Sequence, residues 1–282
     1  MNTKTLYVSD LDGTLLLPEE CLSPFTAKTI RRLTAEGMLF SYATARSLST
    51  ARKVTSALGA LHLPVIVYNG GTIADAADGR ILEAVYFTAE ETAFVQQVLQ
   101  ETGLSPLVYA RTGENTDTEK VSYLAGNVSL GMQAYLDSRA GDPRFRAVQE
   151  DQLYQDHVFY FTVIRDTVEE VRAAAERMRA DERFTVYFDQ NLYDDSWWLE
   201  IVPKRTTKAN AVKQLAELYD CDRIVCFGDG RNDLLMFAAA DESYAMGNAD
   251  EALKAAATAV IGSNREDGAA KKLIELWTQE KT

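Results

Sequence analysis

Short apolar segments alternate with amphipathic segments at both ends of the chain, and this alternation constrains the fold more than any other feature. Near the N-terminus the apolar segments are residues 6–8, 39–43 and 65–68, with helical periodicity between them. A similar alternation returns after residue 207. Because parallel strands need crossover connections, this pattern predicts an α/β fold with a doubly wound, Rossmann-like parallel sheet.

The middle of the chain has a different texture. Residues 85–195 combine strand-like and helix-like segments without regular alternation, and apolar periodicity is weakest over 111–150. An insertion into one α/β domain explains why similar patterns flank a different one. We therefore predict a core domain formed by residues 1–84 and 196–282, with an inserted α+β domain formed by residues 85–195.

Composition excludes several classes of protein. The 282 residues are 46% hydrophobic and 25% charged, which is ordinary for a globular protein and excludes a collagen-like or disordered chain. The net charge of −13 disfavours nucleic acid and anionic membranes as partners, but not a small anionic substrate that meets local cations. Three cysteines, no membrane-length apolar stretch and no signal-peptide pattern predict a cytoplasmic protein, and the sequence carries no signal for an oligomeric state.

Two aspartates follow the first apolar segment. Residues 10–14 read Asp-Leu-Asp-Gly-Thr, so Asp10 and Asp12 stand where the first strand ends. Ligands of open parallel sheets bind outside the carboxyl ends of the strands, so this position suits a functional site. Carboxylates this close repel each other unless a cation, a proton or strong donors intervene, and Mg²⁺ is the natural hard cation for such oxygens. A plain Asp-Gly turn is the structural alternative.

A second acidic turn follows an apolar segment in the last third of the chain. Residues 228–233 read Gly-Asp-Gly-Arg-Asn-Asp and contain Asp229 and Asp233. Glycine lets the backbone come close to a ligand, although acidic glycine-rich turns also occur in ordinary loops. Two acidic turns at two strand ends of one sheet predict a shared site.

A hydroxyl and an ammonium group complete the pattern. Thr44 ends the second apolar segment, and Lys208 begins a predicted helix. Such donors suit a transferring phosphoryl group, whose transition state spreads charge over three equatorial oxygens. Considered separately, Thr44 also fits a helix N-cap and Lys208 a solvated surface lysine.

In this order, the four segments resemble the motifs of the haloacid dehalogenase-like phosphatases, and of the Cof-type hydrolases among them. The matching segments are 10–14 (DLDGT), 43–46 (ATAR), 207–208 (TK) and 228–233 (GDGRND), with secondary marks at 68–70 (YNG), 246–249 (MGNA) and 264–268 (NREDG). The resemblance covers residues 6–276 and is weakest over 87–197, where the family places its variable cap. Ala45 and Ala209 stand where Cof-type proteins usually have glycine, which would change the phosphate pocket if either glycine permits close backbone approach.

The resemblance implies a magnesium-dependent phosphatase for small phosphorylated metabolites, with sugar phosphates as the leading class. Asp10 would be the nucleophile that forms a phospho-aspartate, and Asp12 the general acid and base. Mg²⁺ would be held by the Asp10 carboxylate, the Asp12 backbone carbonyl and Asp229. Thr44 and Lys208 would hold the phosphoryl oxygens.

The remaining roles implied by the resemblance are supporting ones. Asn232 and Asp233 would support the metal ligands from a second layer, and Arg46 and Asn69 would contact the substrate. The inserted domain would be a cap that closes over the site and selects the leaving group. Its cations would either favour anionic substrates or be ordinary solvated residues; they are Arg111, Lys120, Arg139, Arg144 and Arg146.

Three other functions share parts of this pattern. A phosphosugar mutase uses the same aspartate pair but retains the phosphoryl group. A response-regulator receiver also has an acidic sheet edge with a threonine and a lysine, but it would be about half this length and needs no second aspartate as acid and base. A catalytically silent sugar-phosphate-binding protein would have no need of Asp12 as an acid and base.

Overall fold

The computed structural model describes residues 3–112, 118–190 and 195–281. The chain divides into two compact units. We call Met1–Ala84 together with Thr207–Thr282 the core unit, and Val85–Thr206 the inserted unit. The inserted unit extends to residue 206, whereas the sequence pattern placed the end of the inserted domain at 195, and residues 197–203 form a strand of the inserted unit's sheet.

Helices and strands occur in both units of the described part of the chain. The strands are β1 (Thr5–Ser9), β2 (Leu39–Tyr42), β3 (Val65–Val67), β4 (Thr72–Ala74), β5 (Ile81–Ala84), β6 (Leu107–Thr112), β7 (Thr118–Tyr123), β8 (Phe145–Ala147), β9 (His157–Arg165), β10 (Phe184–Gln190), β11 (Trp197–Pro203), β12 (Arg223–Gly228), β13 (Glu242–Ala245) and β14 (Ala259–Val260). The helices are α1 (Pro24–Ala35), α2 (Leu48–Thr55), α3 (Ala89–Glu101), α4 (Leu130–Asp137), α5 (Val168–Arg179), α6 (Lys208–Leu218), α7 (Leu234–Ala239), α8 (Glu251–Ala256) and α9 (Gly268–Glu280). None of these helices combines the length and apolar character that a membrane span needs.

A parallel sheet forms the centre of the core unit. Within the described residues its five strands have the order β14-β13-β12-β1-β2, and each neighbouring pair is parallel. Every residue of β1 is buried, as expected for a central strand covered on both faces. The parallel α/β fold predicted from the alternation is confirmed.

The register of this sheet brings three strand ends to one edge. Ser9, the last residue of β1, lies opposite Phe227 of β12 and Tyr42 of β2. The residues that follow these strands therefore leave the sheet side by side. This edge receives both acidic turns that the sequence pattern singled out.

The third apolar segment does not extend the parallel sheet as a full strand. β3 pairs antiparallel with β4, and β4 pairs antiparallel with β5. A parallel bridge between Ala43 and Ile66 links it to the large sheet. The predicted strand pair after residue 72 is present, and its turn lies at Asp78 and Gly79, where Asp75 Oδ1 accepts from the Asp78 backbone N–H. Gly79 adopts the left-handed conformation that such a turn requires.

The inserted unit is an α+β structure with its own core. Among its described residues, the six strands have the order β10-β11-β9-β6-β7-β8, and all neighbours are antiparallel except β7 and β8. Apolar residues of α3 and α5 form a buried cluster with one face of this sheet, including Val95, Val171, Phe161 and Leu199. The strands β7 and β8 fall in the stretch with weak apolar periodicity, whereas most of β6 lies just before it, and none of the three was predicted.

Cations of the inserted unit serve its own structure. Arg111 is 2% exposed, and its guanidinium lies 4.4 Å from the centre of the Phe159 ring. Lys120, also buried, forms an ion pair with Asp156. These two cations are therefore neither solvated surface residues nor free binding groups.

Candidate active site

The candidate site lies at the carboxyl edge of the parallel sheet in the core unit. Asp10 follows β1 directly, and its backbone N–H donates to the Phe227 carbonyl at 2.9 Å, which continues the pairing of β1 with β12. Thr44 lies two residues beyond β2, and Asp229 follows β12 directly. Lys208 is the first residue of α6. The fold therefore brings the ends of three strands and the start of α6 to this edge of the sheet.

Lys208 connects the two acidic turns. Its ammonium group donates to Asp10 Oδ1 at 2.5 Å and to Asp233 Oδ1 at 2.7 Å, and the side chain is 1% exposed. Burial alone would lower the pKa of Lys208, but the carboxylates of Asp10 and Asp233 outweigh burial and raise the pKa above its usual value. Lys208 is therefore charged, and it is not the solvated surface lysine that the sequence left open.

Three carboxylates converge beside this ammonium group. Asp10, Asp229 and Asp233 each place an oxygen within 4.8 Å of the others. Burial raises the pKa of the Asp10 carboxyl well above its usual range, and burial together with Asp233 raises that of Asp229 to about 6. One ammonium group does not balance three carboxylates, so the cluster favours a bound cation. Clustered carboxylate oxygens are the donors that Mg²⁺ prefers, and the residues present fit this ion.

Asp233 is committed to organising the second acidic turn. Its Oδ2 accepts from the backbone N–H groups of Asp229 and Gly230, both at 3.1 Å, while Oδ1 accepts from Lys208. A Cβ added to Gly228 would lie 2.6 Å from Oδ2, so only glycine leaves room for this carboxylate. With both oxygens engaged, Asp233 is placed to support the other carboxylates.

The first acidic turn is held against Asp229. Gly13 has φ +75°, and a Cβ added there would overlap the Asp229 carboxylate. Thr14 Oγ1 donates to Asp229 Oδ1 at 3.1 Å, and Asn248 Nδ2 donates to the Gly13 carbonyl at 2.8 Å. Asn248 Oδ1 in turn accepts from the Asn264 backbone N–H at 3.0 Å. Asn248 and Asn264 lie in the secondary marks of the resemblance, but no role was predicted for either residue.

The Asp12 side chain is separate from the carboxylate cluster. It is 50% exposed and forms a two-pronged ion pair with Arg46, with Nε to Oδ2 at 2.8 Å and Nη2 to Oδ1 at 2.6 Å. Arg46 Nη2 also lies 3.3 Å from Glu20 Oε1. The structure therefore gives Arg46 two carboxylate partners within the core unit, which its expected role in contacting substrate did not anticipate.

Thr44 and Asn69 lie together on the segments after β2 and β3. Thr44 is fully buried, its Oγ1 accepts from the Arg46 backbone N–H at 3.1 Å, and its carbonyl accepts from the Asn69 backbone N–H at 2.9 Å. Asn69 is 5% exposed. Asn232 is exposed, and its Oδ1 lies over Gly230, 2.5 Å from where a Cβ would stand.

The two alanines that replace family glycines adopt ordinary backbone conformations. The described non-glycine residues with positive φ do not include Ala45 or Ala209. Ala209 is buried in the first turn of α6, while Ala45 is exposed. Neither position requires glycine for its backbone conformation in this chain.

Comparison with known proteins agrees with this geometry. A profile of haloacid dehalogenase-like hydrolases matches residues 7–273. A 5-amino-6-(5-phospho-D-ribitylamino)uracil phosphatase of Bacillus subtilis is 26% identical, covering 95% of this chain and 96% of its own. A pyridoxal phosphate phosphatase of Escherichia coli is 25% identical, covering 96% and 97%. A haloacid dehalogenase-like hydrolase from Bacteroides thetaiotaomicron has the same fold, with a TM-score of 0.74 at 23% identity over 97% and 99% of the two chains. The chain belongs to the haloacid dehalogenase-like hydrolase family.

Proposed function

We propose that this protein is a magnesium-dependent phosphatase that hydrolyses small phosphorylated metabolites through a phospho-aspartate on Asp10. The observation that carries the proposal is the buried ammonium group of Lys208, which joins Asp10 to the second acidic turn. Relatives that match nearly the whole chain are named phosphatases, and their names specify different phosphorylated metabolites.

Asp10 is the proposed nucleophile. Its Oδ1 accepts from Lys208, and Oδ2 is the oxygen that we assign to attack on phosphorus. The new bond joins Oδ2 to phosphorus, and the bond between phosphorus and the ester oxygen breaks. Water then attacks the phospho-aspartate, which releases inorganic phosphate and restores the Asp10 carboxylate.

Asp12 is the proposed general acid and base. It lies two residues from Asp10 on the same turn, but its side chain is exposed and separate from the cluster. In the first step it would give a proton to the leaving alkoxide, and in the second it would take a proton from the attacking water. The Arg46 fork holds this carboxylate in a fixed orientation, so we assign Arg46 a role in positioning Asp12 as well as the predicted contact with substrate.

The carboxylates of Asp10 and Asp229 and the Asp12 backbone carbonyl would hold Mg²⁺. Asp233 would support these metal ligands because its carboxylate fixes the backbone of Asp229. Asn232 would support them as well. When bound, the ion would supply a positive charge that stabilises the phosphoryl oxygens. Thr44 and Lys208 would hold the remaining oxygens, where charge develops in the transition state.

Sugar phosphates are the substrate class that we propose first, and the inserted unit is the proposed cap that selects the leaving group. One relative's name contains a phosphorylated ribityl group, which is a polyol phosphate, and another's contains pyridoxal phosphate. Relatives of one family whose names specify different leaving groups are what a variable selecting domain would produce. The charged residues Arg111 and Lys120 are paired within the inserted unit, so they provide no support for selection by charge.

Phosphate release tests this function. The purified protein is incubated with sugar phosphates, nucleotides, pyridoxal phosphate and flavin mononucleotide, with Mg²⁺ and with a chelator. We expect release from a subset of these esters only when Mg²⁺ is present, and no release by Asp10→Asn. Turnover by Asp10→Asn at the wild-type rate would refute the nucleophile, an isomerised phosphosugar would indicate a mutase, and binding without release would indicate a silent binding protein.

A further inference from the structure

The side-chain amide of Asn69 is the part of the candidate site that the proposed reaction does not use. Asn69 is 5% exposed, and its Oδ1 has no hydrogen-bond partner among the residues that the structure describes. A buried acceptor without a donor costs free energy, and native structures rarely retain one without a reason. The amide oxygen therefore calls for a donor that a ligand would bring.

The backbone around Asn69 is held in an unfavourable conformation. Tyr68, Asn69 and Gly70 have consecutive positive φ angles of 52°, 53° and 96°. Hydrogen bonds fix them, because the Tyr68 N–H donates to the Arg46 carbonyl at 3.0 Å and the Asn69 N–H donates to the Thr44 carbonyl at 2.9 Å. Such conformations persist where the surroundings impose them, and they cluster at ligand-binding sites.

The same segment touches the start of α6. A Cβ added to Gly70 would overlap the Thr207 carbonyl, so this glycine lets the turn approach the residue that precedes Lys208. Asn69 therefore lies between Thr44 and the segment that carries Lys208. These are the two groups assigned to the phosphoryl oxygens, so a ligand group that reaches Asn69 is close to the phosphate.

The missing partner is a hydrogen-bond donor, which limits its source. A phosphate ester dianion offers only acceptors, so its phosphoryl oxygens do not satisfy an amide oxygen. The donor must then come from the organic part of the substrate, as a hydroxyl or amino group close to the phosphate-bearing carbon. A polyol or sugar phosphate carries such groups, whereas a simple alkyl or aryl phosphate does not.

We propose that Asn69 Oδ1 accepts a hydrogen bond from a hydroxyl or amino group of the leaving group, and that Asn69 thereby selects substrates bearing such a donor near the phosphate. This inference rests on the proposed phosphatase function. It makes Asn69 a specificity-determining residue and separates its role from those of Thr44 and Lys208, which act on the phosphoryl group of every substrate.

The test pairs enzyme variants with matched substrates. Glycerol 3-phosphate and n-propyl phosphate differ only in two hydroxyl groups, and p-nitrophenyl phosphate is a third ester without a donor. Asn69→Gly deletes the amide and keeps a left-handed backbone accessible, whereas alanine would strain it. Asp220→Gly is the control, because Asp220 also has positive φ, at 47°, but lies after the other end of α6. Circular dichroism confirms that each variant is folded.

We expect the wild type to prefer glycerol 3-phosphate, and Asn69→Gly to lower its kcat/KM by roughly tenfold, as one lost hydrogen bond would. The kcat/KM values of Asn69→Gly for n-propyl phosphate and p-nitrophenyl phosphate should differ from those of the wild type by less than about twofold. Equal losses on all three esters would overturn the inference, because Asn69 would then act on the phosphoryl group or on the fold. If the wild type turns over neither these three esters nor any metabolite of the phosphate-release assay, the proposed function fails. In either case, where the three esters are not turned over, calorimetric affinities decide the inference: a preference for glycerol 3-phosphate that Asn69→Gly abolishes supports it, and equal affinities overturn it.

Discussion

The charge balance of the candidate site depends on a single buried side chain, Lys208. Its ammonium group bonds Asp10 and Asp233, and Asp229 lies within the same cluster. Removing one partner from a buried ionic group leaves uncompensated charge, which is far more costly than breaking an exposed ion pair. Stability and catalysis are therefore coupled through this residue.

Replacing the ammonium group should show both effects. Lys208→Met is expected to lower the free energy of unfolding without Mg²⁺ by about 3–5 kcal/mol and phosphatase activity by about 100-fold or more. Urea unfolding and phosphate release measure the two effects. Lys213→Met, at an exposed position of the same helix, is the control. Wild-type stability in Lys208→Met would contradict the view that the ammonium group balances the carboxylates.

Gly13 offers a second test at the same scale. Gly13→Ala places a Cβ in the space of the Asp229 carboxylate, so we expect Mg²⁺ affinity measured by calorimetry to fall. Because alanine disfavours the left-handed backbone at this position, the free energy of unfolding should also fall by about 1–2 kcal/mol.

Gly37→Ala separates the two causes. Gly37 also has positive φ, at +101°, but a Cβ there meets nothing within 4 Å. This control should lose stability and keep its Mg²⁺ affinity. Equal Mg²⁺ affinities in the two variants would show that contact with Asp229 is unimportant.

Strands of the inserted unit carry an unusual carboxylate. Glu200 on β11 lies opposite Thr162 of β9 and Tyr187 of β10. Burial raises the pKa of the Glu200 carboxyl to about 7, a hydrogen bond from Tyr160 opposes the shift, and Asp189 adds to it. A carboxyl group on a sheet can therefore titrate near neutral pH.

This shift predicts how stability depends on pH. Between a pKa of about 4.3 in the unfolded chain and about 7 in the folded one, the folded state keeps a proton that the unfolded state has lost. The contribution of Glu200 to the free energy of unfolding therefore decreases as pH rises through this window. The free energy of unfolding of Glu200→Gln, expressed relative to that of the wild type, should therefore increase from pH 5 to pH 8, as measured by urea unfolding.

The exposed Glu182, just before β10, provides the comparison for this measurement. Glu182→Gln controls for the loss of a carboxylate at an exposed position of the same unit. If the difference between Glu200→Gln and the wild type does not change between pH 5 and pH 8, the raised pKa of Glu200 does not affect folding.

At the scale of the whole chain, strand and helix periodicity predicted the architecture but not every pairing. The parallel sheet follows from alternation, since buried apolar strands and amphipathic helices both leave a clear pattern. β3 has the same apolar character as β1, yet it pairs antiparallel with β4, which in turn pairs with β5, because local composition does not specify the partner of a strand. β7 was not predicted because its sequence, Thr-Glu-Lys-Val-Ser-Tyr, lacks a continuous apolar face.

The site residues that directly follow a strand were predictable from the sequence. Asp10 and Asp229 were found because they follow apolar segments directly, and parallel strands bring such ends together. The pairing of Asp12 with Arg46 and the bond from Asn248 to the Gly13 carbonyl were not, because each depends on side-chain positions across long sequence separations. No spacing rule encodes such contacts.

The unit boundary leads to a prediction about fragments. Residues 85–206 are continuous in sequence and contain a complete sheet with its own core, so this fragment should fold alone and unfold cooperatively in urea. A fragment of residues 85–195 lacks β11, which lies between β9 and β10, and should not fold. Circular dichroism of both fragments checks this, and a folded shorter fragment would restore the boundary expected from sequence.

The position of β1 has a consequence for synthesis of the protein. β1 is made first, yet it lies between β2 and β12, and β12 begins 218 residues later. One edge of a strand that is fully buried in the folded protein therefore stays open on the ribosome until more than three quarters of the chain has emerged. Open apolar edges recruit other chains, so the nascent protein is most exposed to aggregation, and most in need of a chaperone, during this interval.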